Sequence, residues 1–157
     1  MTAAAKGRKS RGGAKKTVRR RPGGFRVVPH TSEMALSIRA RRFPGFYRNA
    51  ALGLLALYGA EGRPAKLQTR RLTLKQDSAE ELLVAWLNEL NYLIAAKRWL
   101  PVRVKLTRAY ATELTAEVVG GPLDGIKLAR EVKAATFGGL RLSQEPDGYH
   151  ATVILDV

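Results

Sequence analysis

Ser78-Ala79-Glu80-Glu81-Leu82-Leu83-Val84-Ala85-Trp86-Leu87-Asn88-Glu89-Leu90-Asn91-Tyr92-Leu93-Ile94 reads as a single amphipathic helix whose start is marked. Ser78 followed by Glu81 fits a capping box, in which the serine hydroxyl accepts from the N–H three residues on. Ala79, Leu82, Leu83, Trp86, Leu90, Leu93 and Ile94 recur at helical spacing and form one apolar stripe. Lys97 and Arg98 follow, where the helix dipole favours cations, and Pro101 prevents continuation. A helix with one apolar stripe needs a flat apolar partner.

The flanking segments supply that partner. Met34, Leu36, Ile38 and Ala40 alternate with Ala35, Ser37 and Arg39, the period of a half-buried strand. Phe25 to Val28 predicts a short strand before it. Pro44-Gly45 forms a turn and opens a second helix, with Phe46, Tyr47, Ala50, Ala51, Leu54, Leu55 and Tyr58 on one face. Gly59 and Gly62-Arg63-Pro64 end it. Residues 67–75 predict another strand. After the long helix, Val102, Val104 and Leu106 alternate with charged residues, as do Leu114, Ala116 and Val118 with polar ones. Gly120-Gly121-Pro122 reads as a loop. Further strands are expected near 129–136, 140–143 and 149–157, with Pro146-Asp147-Gly148 as the last turn. Strands and two helices in this order predict an α+β fold: a two-layer sandwich, its mixed or antiparallel sheet carrying both helices on one face.

Residues 1–24 differ from the rest. Of the chain's formal charge of +15, nine units come from Lys6, Arg8, Lys9, Arg11, Lys15, Lys16, Arg19, Arg20 and Arg21, with no acid among them. This segment has too little apolar surface to offset its ordering entropy, so a disordered basic tail precedes one folded domain over 25–157. Arg8, Lys9, Arg11, Lys15, Lys16, Arg19, Arg20 and Arg21 suit nonspecific contact with RNA phosphates. The tail has no aromatic residue for stacking bases.

Composition also narrows the chemistry. With no cysteine there is neither a disulfide framework nor a thiolate nucleophile, which suits a reducing, cytoplasmic setting. No apolar run reaches the length of a membrane span. The chain contains no phosphate-binding glycine loop ending in Lys and Ser or Thr, and its histidines, His30 and His150, make no metal-ligand spacing. A non-catalytic protein, with no small-molecule substrate of its own, is expected.

Three segments carry more specific information: Pro29-His30-Thr31-Ser32-Glu33 before a strand; Leu87-Asn88-Glu89-Leu90 in the long helix; and Val132-Lys133-Ala134-Ala135-Thr136-Phe137 together with Val153-Ile154-Leu155-Asp156-Val157. In order and spacing, from Phe25 to the last residue, they resemble the archease family. That family carries an Asp-His-Thr-Ala-Asp box, a Leu-Asn-Glu-Leu-like helix, a Val-Lys-Ala-x-Thr-Tyr strand and an apolar end followed by Asp and an aliphatic residue. The resemblance implies an activator of a tRNA-splicing RNA ligase, one that promotes guanylylation of the ligase with GTP and its repeated turnover. It also implies a divalent metal, calcium, held by Glu33 and Asp156 with oxygens from Val157. Lys133, with His30 nearby and Glu89 on the helix, is expected to complete a functional patch.

The sequence departs from the family pattern at Pro29, where the box has its first Asp, at Glu33 in place of the second, and at Gly138 after the aromatic residue. These departures motivate a rival expectation, a basic RNA-binding module on the same scaffold that no longer activates the ligase. Three local expectations follow from strand and helix geometry. Asp156 sits at the sheet margin, partly desolvated. Lys133 lies within a strand, on the face of Ala135 and Phe137. Asn88 points away from the stripe into solvent.

Overall fold

The computed structural model describes residues 23–30 and 33–157. The basic tail therefore lies outside the described residues, apart from Gly23 and Gly24.

The elements run β1 (Gly24–His30), β2 (Glu33–Ala40), α1 (Phe43–Tyr58), β3 (Gln68–Lys75), α2 (Ala79–Ala95), β4 (Trp99–Ala109), β5 (Glu113–Pro122), β6 (Ala134–Glu145) and β7 (Gly148–Asp156). The α+β class stands, and every strand pairing is antiparallel. The strands divide into two sheets, a four-stranded one in the order β1-β2-β7-β6 and a three-stranded one in the order β3-β5-β4. Helix α1 packs on β1, β2 and β4, and α2 packs on β3, β4 and β6, so both helices serve both sheets.

Leu36 and Ile38 of β2, Ala151, Val153 and Leu155 of β7, and Leu114, Ala116 and Val118 of β5 are buried with the two helices in one continuous core. Gly53 lets α1 approach β2 closely, because a Cβ there would strike the Leu36 side chain. The alternation read from residues 34–40 is therefore the inward face of a real strand.

Helix α1 begins three residues earlier than the spacing suggests, at Phe43, and takes Pro44 into its first turn. Proline is tolerated there because the first-turn N–H groups have no helical partner. Ser78 caps α2 as expected, its hydroxyl accepting from the Glu81 N–H at 3.1 Å. The helix ends at Ala95, so Lys97 and Arg98 lie past its last turn. Lys97 instead rests 5.6 Å from the Tyr92 ring centroid.

Gly120-Gly121-Pro122 is not a loop but the end of β5. A Cβ at Gly120 would collide with the Leu100 carbonyl, and one at Gly121 with the Lys66 carbonyl and Pro64. These glycines serve close backbone approach rather than a turn. The two strands expected over 129–136 and 140–143 are one strand, β6, whose pairing with β7 shifts between Thr136 and Arg141. Phe137-Gly138-Gly139-Leu140 forms the bulge, and Gly139 takes the positive φ of 70° within it. Residues 129–133 precede the strand.

Candidate functional site

The sheet register brings the two predicted acids together. Glu33 opens β2 and Asp156 closes β7, and they are direct partners in the antiparallel ladder. Opposed residues share a face with Cα atoms about 4.5–5.5 Å apart, within reach of one cation for two carboxylate arms. Across β2, the backbone of His30 stands opposite Glu33; across β7, Ala134 stands opposite Asp156. One row across the four strands therefore reads His30, Glu33, Asp156, Ala134.

Asp156 is exposed, not partly desolvated, because β7 ends there at the sheet margin. Glu33 and Val157 are half-buried. Lys133 is exposed and precedes β6 instead of lying within it. It still joins the site through its backbone, since its N–H donates to the Asp156 carbonyl at 2.7 Å.

Helix α2 is what holds that approach in place. The Asn88 amide donates to the Ala135 carbonyl at 3.3 Å and its oxygen accepts from the Ala135 N–H at 2.9 Å. Three residues on, the buried Asn91 amide donates to the Lys133 carbonyl at 3.2 Å. The Tyr58 hydroxyl donates to the Asn91 oxygen and also reaches the Val132 carbonyl at 3.3 Å. Burial pushes the Tyr58 phenol above its ordinary pKa, so this donor keeps its proton through neutral pH. The side chains of Asn88, Asn91 and Tyr58 thus satisfy backbone groups of 132–135 that would otherwise be stranded against the helix.

Asn88 is accordingly no solvent-facing residue. Its position off the apolar stripe points it at the start of β6, which packs along the flank of α2. The signal available in the sequence was the pair of asparagines at i and i+3 within the largely apolar middle of the helix, a spacing that puts both on one side. Glu89 is half-buried on the same helix. It does not gather with Glu33 and Asp156, for no three of His, Cys, Asp and Glu come together among the described residues.

The donor set at this end is therefore two opposed carboxylates with the backbone of Val157 following the second. All are oxygen ligands, the kind that hard divalent cations take. Elsewhere on this sheet the Ser37 hydroxyl lies 3.1 Å from His150 Nε2, a serine–histidine contact four residues along β2 from Glu33 and apart from the acid pair.

Fold and site together define an α+β protein with a paired-acid margin buttressed by a helix. The archease protein family model matches residues 25–157, and the chain belongs to that family. It is similar to the archease of Methanosarcina barkeri, 27% identical over 139 residues, covering 85% of this chain and 95% of that one. It is also 27% identical to the archease of Archaeoglobus fulgidus over 141 residues, with 85% and 98% covered. Its fold matches the crystal structure of an archease from Thermotoga maritima, described there as a possible chaperone, with a TM-score of 0.58, 20% identity, and 83% and 94% of the chains covered. It likewise matches the solution structure of a Methanobacterium thermoautotrophicum protein, with a TM-score of 0.59, 22% identity, and 85% and 99% covered.

Proposed function

We propose that this archease activates a tRNA-splicing RNA ligase by organising charge around guanylate transfer, making and breaking no bonds itself. The observation that carries the reading is the Glu33–Asp156 pairing beside Lys133, whose backbone is tied to Asp156. Glu33 and Asp156, with oxygens from Val157, would hold a divalent cation, calcium. When bound, that cation supplies positive charge that neutralises the acids and attracts phosphate oxygens. Lys133 is exposed, and its ammonium is free to reach a phosphate on a partner while its backbone stays fixed. Asn88, Asn91 and Tyr58 keep that lysine at a constant distance from the acids. His30, opposite Glu33 in register, would complete the patch.

The test is guanylylation of the cognate ligase with labelled GTP, with and without this protein. Stimulation that is lost in E33Q, D156N and K133A, each folded, supports the reading. A folded wild-type protein that leaves guanylylation unchanged removes it. A second reading, the RNA-binding module without ligase activation, is favoured by the nine cations of the tail and by the Pro29, Glu33 and Gly138 departures. It expects salt-sensitive RNA binding and no stimulation.

A further inference from the structure

No described element covers the face of the four-stranded sheet that points away from the helices, and the middle of that face is basic. Two neighbouring cross-strand rows run Arg26–Ser37–Thr152–Arg141 and Gly24–Arg39–His150–Ser143. These positions alternate with Leu36, Ile38, Ala151 and Val153, which are buried toward the helices. Arg26 and Arg141 are exposed and Arg39 is half-buried. No ion pair among the described residues engages these three guanidinium groups. The acids of this face stand at its ends: Glu33 and Asp156 beyond the row Val28–Ala35–Ile154–Thr136, and Glu145 at the β6–β7 hairpin.

The spacing of the cations selects the kind of ligand. Strands lie about 4.8 Å apart, so Arg26 and Arg141, on the two outer strands, have Cα atoms about 14 Å apart. Arg39 lies between them, one row along. Three guanidinium groups spread in this way do not converge on one small anion. They match successive phosphates of an extended strand, each able to take a bidentate contact. The regular outward rows carry no Phe, Tyr or Trp, and the exposed aromatic at their edge, Phe137, lies in the β6 bulge, so phosphate contacts dominate over base stacking. The basic sequence preceding β1 ends with Arg21, five residues before Arg26. Its like charge makes it a poor occupant of this face and a natural extension of it.

We infer that the open face of the β1-β2-β7-β6 sheet is an RNA-binding surface, with Arg26, Arg39 and Arg141 contacting the phosphodiester backbone without reading sequence. The choice of RNA as the polyanion rests on the proposed ligase partnership; the surface itself does not.

The test uses the full-length chain and a fluorescein-labelled uridine oligoribonucleotide, with affinity measured by anisotropy across a KCl series. To isolate the face, the nine tail cations are replaced by glutamine in both proteins compared. R26Q/R39Q/R141Q should flatten the slope of log affinity against log salt by about 2, from ~0.7 per lost phosphate contact on a single strand. R26Q and R141Q alone, at exposed positions, should each flatten it by roughly 0.7. An unchanged slope in the folded triple variant, or in both single variants should the triple not fold, overturns the inference. Guanylylation of the ligase with GTP, measured without RNA, reads the activator role separately. Loss of the slope difference with stimulation intact sinks only this surface, and the reverse result sinks only the ligase reading.

Discussion

Glu33 and Asp156, drawn from opposite ends of the folded segment, are direct partners in the β2–β7 ladder. Opposed positions on one ladder let two carboxylates offer oxygens to a single hard cation.

The first prediction follows from that shared set of oxygens. Calcium at about 100 times its Kd should stabilise the fold by about 2.7 kcal/mol through mass action. In a domain of this size that raises Tm by roughly 5–10 °C. EDTA should reverse the rise, and D156N or E33Q should abolish it. Differential scanning fluorimetry with and without calcium checks this; an equal rise in the double variant E33Q/D156N would exclude these acids as ligands.

A second prediction concerns the clamp on residues 132–135. N88A removes both partners of the Ala135 backbone and should cost about 1–3 kcal/mol of stability, from the two stranded groups. N88D keeps the acceptor for the Ala135 N–H but loses the donor, so it should cost less than N88A. Urea unfolding measures both. If the clamp positions Lys133, N88D should also lower ligase stimulation under conditions where the protein remains fully folded.

The buried phenols set an alkaline limit. Burial pushes Tyr47 and Tyr58 above their ordinary pKa, with the Glu80 charge adding to the effect at Tyr47. The folded state therefore holds these protons more tightly than the unfolded chain does. Their contribution is fully present below about pH 10, the unfolded phenol value, and is lost as pH rises from there toward the folded values. Y47F should make the stability loss between pH 9 and pH 11 shallower than in the wild type. Urea midpoints at the two pH values report the difference; equal losses would show that Tyr47 does not titrate on unfolding in that range.

Close backbone approach at the end of β5 gives a fourth prediction. G121A places a Cβ against the Lys66 carbonyl and Pro64, which belong to backbone and ring and cannot swing aside. It should destabilise by about 2–4 kcal/mol, whereas G125A, with open space at its Cβ position but a φ of 72°, should cost only about 1 kcal/mol. Thermal unfolding of the two variants orders them.

Much of this architecture is legible in the chain because burial imposes its own period. The alternation at 34–40 and the stripe at 79–94 survive as an inward strand face and a packed helix face, and Ser78 caps where its spacing to Glu81 says it should. The division into two sheets is not legible, since each strand shows one apolar face whichever sheet it joins. Gly120 and Gly121 are ambiguous in sequence, because a glycine pair suits a turn and a crowded strand equally well. Lys133 reads as a strand residue from its apolar neighbours, yet Val132 is buried, its carbonyl facing the Tyr58 hydroxyl of α1, before the ladder begins. The role of Asn88 depends on which element lies along the helix flank, and that is a tertiary fact.

The position of β7 has a consequence for biogenesis. It is the last strand in sequence order, yet it sits in the interior of its sheet between β2 and β6. On a ribosome the β1–β2 hairpin must wait with an unpaired inner edge until this strand emerges, a non-local pairing that is slow and leaves an adhesive edge open to other chains. The same step zips Asp156 against Glu33, so the acidic margin does not exist in any nascent chain that lacks the final strand. Closure of the sheet and assembly of the acidic margin are thereby one event.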